Sequence, residues 1–410
     1  MSQGNVIGAK LLAALQRDLV SEIGIELHSN KAKMISGMWS EILGYVAVET
    51  RNPRADYSRE TEAERLFREP ATVEETFNVS LQQIGQQEIE ATPERMDRLL
   101  AAKFNGGKTV RIERIAGGFS KDSFFFDYED AGGVLRKTVI RRDMPFGPNG
   151  YTVIDEYALL QRMYAENVGV ARPIACIEDT EFLGQPFLIS ELVPGITQYD
   201  VAEPDKQKRD AIWKQLGELV ARLHSVPPER SGLVPAADPQ EQLREYVLWW
   251  KDRWERHMVE PSFVLESAFE WLLANIPAHI DRIAIVHADI SFTNILVDEG
   301  RITALLDWEF CHLGDPVEDL AYFRQFVTDE GDWENFLQSY EQSGGVRYKP
   351  ENAHFYEVWR AARNTVCCSS SWWGFVNDKY SAPKMAYMGV VLYRRFLKDL
   401  ALQLDLLPSR

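Results

Sequence analysis

The stretch IAIVHADISFTNILVDEGRITALLDWE, residues 283–309, decides how this chain is to be read. Ile283 to Val286 is a short apolar strand, and His287-Ala288-Asp289 carries the chain out of it. Asn294 follows five residues after Asp289, and Ile295 to Val297 makes a second strand. Glu299-Gly300 turns it into a third, Ile302 to Leu306, which ends in Asp307-Trp308-Glu309. Two hairpin strands therefore deliver a carboxylate, an amide and another carboxylate to one edge. Oxygen donors of this kind suit Mg²⁺, a hard ion that also bridges phosphate oxygens. Asp289 is left to accept a proton from an attacking hydroxyl.

The spacing H-x-D-x-x-x-x-N followed by a D-x-x turn is the layout of a kinase catalytic loop and its metal-binding Asp. HADISFTN and then LLDWEFCHLGDPVEDLAYF resemble the aminoglycoside phosphotransferase/choline kinase-like family of small-molecule kinases. That family shows H-G-D-x-x-x-x-N and then D-W-E-x-x-x-x-G-D-P-x-x-D-L-A. The resemblance runs from about residue 95 to 400 and leaves residues 1–90 outside it. It implies an α+β, protein-kinase-like bilobal fold with a helical N-terminal extension over 1–94. A small antiparallel β-sheet lobe would span 95–195, and a large, mostly helical lobe 196–410. It further implies ATP or GTP with Mg²⁺ as cofactors and a small-molecule hydroxyl acceptor. Asp289 would be the catalytic base, with Asn294 and Asp307 ligating the metal. His287, Asp315 and Asp319 would brace the loop. Glu309 is either a contact behind the metal or a solvated turn residue. Ala288 stands where the family has Gly, a change expected to narrow loop flexibility without abolishing activity. No D-F-G or A-P-E pair is present, which speaks against a eukaryotic-type protein kinase.

Upstream, Val110 to Ile115 alternates, Gly117-Gly118 breaks it, and Ser123 to Tyr128 is aromatic and strand-like. Ala131-Gly132-Gly133 then turns the chain into Val134 to Arg141, giving an antiparallel meander. By resemblance, ERIAGGFSKDSFFF covers the phosphates, with Gly117 and Gly118 admitting backbone amides and Ser120 donating a hydrogen bond. The basic position of the next strand falls on Arg141, which would hold phosphates and pair with Glu156 on the following helix. Arg142 or Lys137 takes that role if the register is off by one or by four. Glu191 and Leu192 open the segment resembling the hinge where adenine would bond to backbone.

The 410-residue chain carries a net charge of −17, with 45% hydrophobic and 26% charged residues. That is ordinary globular composition and excludes wholesale disorder. It also argues against a general nucleic-acid binder, which needs a basic footprint. No secretory signal pattern or long apolar run appears, so the expectation is a cytoplasmic protein with no membrane partner. In the first ninety residues, Ile7, Leu11, Leu15, Leu19 and Ile23 form one helical stripe, and Met34, Met38, Ile42 and Val46 another. They read as a helical cap, or as a surface for a homodimer or for covering substrate.

The acceptor is less legible. Asp329, Glu330, Asp332 and Glu334 form an acidic run suited to a polycationic antibiotic, or simply a solvated helix start. The alternative lining is VWRAARNTVCCSSSWWGFVNDKY, with Trp359, Arg363, Trp372 and Trp373 as candidate acceptor-pocket residues. Being aromatic and mildly basic, it favours a hydroxylated organic acid, an aromatic alcohol or a hydroxyacyl-CoA. An aminoglycoside O-phosphotransferase and a non-catalytic nucleotide-binding regulator are the competing readings. A metal-dependent hydrolase would need more His ligands than His287 alone.

Overall fold

The computed structural model describes residues 89–115, 118–197, 205–236, 238–327 and 330–406. Most of the extension expected over 1–94, with the two apolar stripes read as helical and the expected homodimer surface, therefore lies outside the described residues, as do Gly117 and Asp329. Ile89–Tyr380 together with Met388–Arg410 forms one compact unit.

Helix α1 (Pro93–Lys103) begins behind Thr92, whose hydroxyl accepts from the Arg95 amide, with Pro93 suited to the first turn. Strands β1 (Gly107–Ile115), β2 (Lys121–Asp130) and β3 (Leu135–Asp143) form the meander. Helix α2 (Val153–Ala165) follows, then β4 (Pro173–Ile177) and β5 (Phe187–Glu191). The sheet order is β1-β2-β3-β5-β4, and every pairing is antiparallel. One face of the sheet closes on α1: Met96, Leu99 and Leu100 pack with Phe124, Phe126, Ile140, Phe187 and Ile189. The sequence reading gave α1 no role, yet it supplies the apolar half-layer that this sheet face needs.

Helices dominate from α3 (Lys206–Ser225) onward, followed by α4 (Pro239–Arg256) and α5 (Phe263–Ala274). Strands β6 (Ala284–Val286), β7 (Ile295–Asp298), β8 (Arg301–Leu305) and β9 (His312–Gly314) make two small antiparallel pairs, β6 with β9 and β7 with β8. Helices α6 (Val317–Arg324), α7 (Glu330–Gln342), α8 (Pro350–Val376) and α9 (Tyr393–Gln403) complete this part. A core running from Leu160 and Met163 on α2 through Trp213 and Leu216 on α3 to Leu320 and Phe323 on α6 carries the site loops. No helix among the described residues is long and apolar enough to cross a membrane.

Candidate active site

Strand register decides which basic residue faces the cleft. Lys121 lies opposite Asp143, Asp122 opposite Arg142, and Ser123 opposite Arg141. Because side chains alternate across a sheet, these fall on two faces. Arg142 turns to the α1 side, where it pairs with buried Asp122 at 2.9 Å and donates to the carbonyls of Ile89 and Leu183. Lys137 is exposed. Arg141 and Lys121 point the other way. Arg141 Nη2 donates to Asp307 Oδ1 at 2.9 Å, and its Nε lies 3.3 Å from Glu156 Oε1 on α2. Lys121 pairs with Asp143 at 2.9 Å and donates to the Tyr151 carbonyl. Buried, with two oxygen partners, Lys121 is a site cation the sequence reading overlooked; its place opposite Asp143 in the meander was the available signal.

The catalytic-type loop hangs from β6. Ala288 has φ of +62°, in the left-handed region that favours glycine. Asp319 on α6 holds this conformation from one side: its Oδ2 accepts from the His287 amide at 2.8 Å and its Oδ1 from the Ala288 amide at 2.6 Å. Arg363 on α8 holds it from the other, donating to the Ala288 carbonyl at 2.7 Å. His224 on α3 closes the bracket, 2.9 Å from Asp319 and 2.8 Å from the Tyr340 hydroxyl. Burial alone would raise the Asp319 pKa, but the hydrogen bond and charge of His224, with His287 behind them, keep it below the usual carboxylate range. His287 is sealed, and its Nδ1 accepts from the Asp289 amide at 3.3 Å. Asp315 accepts from the Val317 amide and the Tyr356 hydroxyl at the start of α6.

The loop delivers Asp289 toward Asn294 and Asp307. Asn294 Nδ2 donates to Asp289 Oδ2 at 2.7 Å, and the Tyr322 hydroxyl donates to Asp289 Oδ1. Asp307 also adopts a left-handed backbone, φ +66° and ψ +62°, which a short polar residue tolerates. Glu309, two residues on, is buried and accepts from Ser120 Oγ at 2.5 Å. It is thus no solvated turn residue. Ser120, expected to donate to phosphate, gives its hydroxyl to Glu309 here because the start of β2 lies directly over that carboxylate. Gly118 adopts φ of +79°, which explains a glycine at that position. At the hinge, the Leu192 amide is already bonded to the Lys137 carbonyl at 3.0 Å, so that amide is taken by the sheet edge rather than offered to a base. The Glu191 amide is likewise bonded, to Arg172.

Five carboxylates, Asp143, Glu156, Asp289, Asp307 and Glu309, share this site with two cations, Lys121 and Arg141. Burial, and then the charge of Asp307, push Asp289 up to about 7 and Glu309 up to about 8. Burial also raises Glu156, against the pull of Arg141. The excess of negative charge and the hard oxygens of Asp307 and Asn294 fit a small divalent cation that carries water and phosphate as its other ligands. Asp307 and Asn294 would hold it, and it would neutralise charge on phosphate oxygens.

The suggested acceptor wall is not one surface. Trp359 is fully buried, packed on Tyr246 and Trp250, with its indole N–H given to Glu318 at 3.0 Å. Arg363 is equally sealed and braces the loop. Trp372 stacks on Phe375, while Trp373 meets Phe146 and His257 toward the C-terminal end of α8. The reason is that α8 is buried on nearly every face from Asn352 to Phe375, so aromatic spacing along it reports core rather than pocket. Tyr322, which touches the catalytic-type Asp, was missed; its only sequence signal was its place directly after the D-L-A of the motif.

Comparison with known proteins agrees with this geometry. The pattern of the phosphotransferase enzyme family matches residues 111–358, and the chain belongs to that family. Acyl-CoA dehydrogenase family member 11 from Gallus gallus is 27% identical over 255 residues, covering 61% of this chain and 32% of the relative. The Homo sapiens protein of that name is 25% identical over 301 residues, 70% of this chain and 37% of its own. The chain thus spans about a third of the length of these curated relatives. Among solved structures, a putative aminoglycoside phosphotransferase from Ralstonia eutropha has a TM-score of 0.56 at 21% identity, covering 78% of this chain and 99% of that one. Spectinomycin phosphotransferase, in complex with ADP and spectinomycin, has a TM-score of 0.50 at 14% identity, covering 77% and 99%. The fold is therefore that of the protein-kinase-like phosphotransferases.

Proposed function

We propose that the chain transfers the γ-phosphoryl group of ATP, or of GTP, to the hydroxyl of a small molecule, with Mg²⁺ as cofactor. The observation that carries this is the convergence of Asp289, Asn294, Asp307 and Arg141 at one end of the β7–β8 hairpin, against the sheet. In this reading nucleotide lies between the sheet lobe (95–195) and the helical lobe (196–410). Arg141 and Lys121 neutralise phosphate charge, Gly118 admits the phosphates to backbone, and Glu191 opens the adenine hinge. Asp289 orients the acceptor hydroxyl and receives its proton as the new O–P bond forms and ADP leaves. Tyr322 and Asn294 fix both oxygens of that carboxylate, so most of the rate gain comes from positioning and electrostatics.

The favoured acceptor is a hydroxylated organic acid, an aromatic alcohol or a hydroxyacyl-CoA. A polycationic antibiotic is less well supported, because two members of the acidic run are already engaged: Glu330 pairs with Arg324, and buried Asp332 with Lys206 at 3.3 Å. The relatives named for acyl-CoA dehydrogenation point the same way by analogy only. The test is acceptor-dependent ADP release with Mg-ATP and Asp289→Asn as blank, pairing aminoglycosides with hydroxy acids, aromatic alcohols and hydroxyacyl-CoAs. Turnover confined to the second group supports the reading. Turnover only on aminoglycosides would replace it with antibiotic phosphorylation, and nucleotide binding without turnover would leave a regulator.

A further inference from the structure

Arg360 and Arg363 stand nearly one turn apart on α8, and both guanidinium groups lie against the Tyr322 ring, 5.6 and 5.8 Å from its centroid. Tyr322 in turn donates its hydroxyl to Asp289. The two arginines differ in what they hold. Arg363 is sealed, donates to the Ala288 carbonyl and lies 3.8 Å from Glu318. Arg360 is half-buried, and its Nε is enclosed with no hydrogen-bond acceptor. Among the described residues no carboxylate closes on it as an ion pair; Glu357 and Asp399 act on it only through charge from farther away. Burial, with the like charge of Arg363, weighs against its charged form. An arginine stays protonated regardless. A guanidinium that has lost part of its water without gaining an anion is a site of uncompensated positive potential.

We propose that Arg360 binds a carboxylate of the acceptor, which lies along Tyr322 with its hydroxyl on Asp289, so that the acceptor is a hydroxy acid. This rests on the phosphotransferase reading and narrows it. The planar fork of arginine matches a carboxylate with two parallel hydrogen bonds, and the ring beneath keeps the guanidinium oriented. The same arrangement repels a polycation, since two positive charges flank the tyrosine that hydrogen-bonds Asp289. Arg360 supplies no group to the chemical step; it sets which alcohol is held there.

The experiment compares wild type, Arg360→Gln and Arg360→Lys on a series of hydroxy acids, their uncharged methyl esters and hydroxyacyl-CoA thioesters, following ADP release with Mg-ATP. Wild type should prefer the acid over its ester by about tenfold or more in kcat/KM, as expected for a charge-assisted hydrogen bond. Arg360→Gln should abolish that preference by raising KM for the acid, with KM for ATP unchanged. Arg360→Lys should restore part of it. Equal use of acid and ester by wild type would overturn the proposal, as would a preference that survives in Arg360→Gln. Preference for the thioester, indifferent to Arg360, would overturn it while sparing phosphoryl transfer. If no acceptor releases ADP, the function reading fails, and calorimetric titration of the hydroxy acids into the Mg-ADP-bound chain decides this one separately. Binding that Arg360→Gln loses would support it; absence of binding would overturn it.

Discussion

Asp319→Ala tests how the catalytic-type loop is held. The wild-type carboxylate accepts from two consecutive backbone amides, His287 at 2.8 Å and Ala288 at 2.6 Å, and pairs with His224 at 2.9 Å. It is fully buried, so no water is at hand to replace it. Each orphaned buried donor costs about 1–3 kcal/mol, and two amides alone bring roughly 2–6 kcal/mol. The left-handed backbone at Ala288 then loses its main restraint, which adds to the effect. Against a typical domain stability of about 5–15 kcal/mol, the variant should sit near the edge of folding. Urea unfolding followed by tryptophan fluorescence measures this directly, through the midpoint at constant slope. The same contacts set a pH dependence. Because the folded-state pKa of Asp319 is lowered, its contribution is present above the unfolded carboxylate value and is lost as pH falls through the folded one. An Asp319→Ala protein within about 1 kcal/mol of wild type at neutral pH would refute the claim that this carboxylate holds the loop.

Three further outcomes follow from the same contacts. Asp289→Asn should reduce turnover by about 10²–10⁴-fold, the usual range for removing a general base, while leaving nucleotide affinity measured by titration unchanged. Asp315, pushed up to about 6 mainly by burial, binds a proton more tightly folded than unfolded, so its ionisation costs stability progressively as pH rises from about 4 to about 6. Asp315→Asn should therefore gain on wild type across that window, by up to roughly 3 kcal/mol, in melts compared at pH 4 and pH 7.5. Ala288→Gly relieves a left-handed alanine worth about 1 kcal/mol but frees the unfolded chain by about 0.4–1 kcal/mol, so its melting midpoint should barely move.

The loop was legible because its chemistry needs fixed residue types at fixed spacing: Asp289, Asn294 and Asp307 have no close substitutes, and the strands between them are short enough to read. Arg141 was legible as a basic strand position, but only the pairing of Ser123 with Arg141 shows that it and Lys121 share a face while Arg142 turns away. What stayed hidden depended on long-range packing. Glu309 is 189 residues from the serine that hydrogen-bonds it, and no local pattern distinguishes it from an exposed turn carboxylate. Trp359 and Arg363 read as acceptor lining from their aromatic and basic character alone, whereas α8 packs against neighbours on nearly every side, so the same residues are core. Helix α1 was passed over since its few apolar residues, Met96, Leu99 and Leu100, make sense only beneath the sheet.

The central claim is phosphoryl transfer to an organic hydroxyl. Incubation with ATP labelled at the γ-phosphate, Mg²⁺ and the mixed hydroxyl panel tests it most directly, with label followed into products and Asp289→Asn run alongside. The account predicts label in a stable organic phosphate ester, formed together with ADP and absent with the variant. Label appearing only as inorganic phosphate, at equal rates with and without the panel, would contradict it.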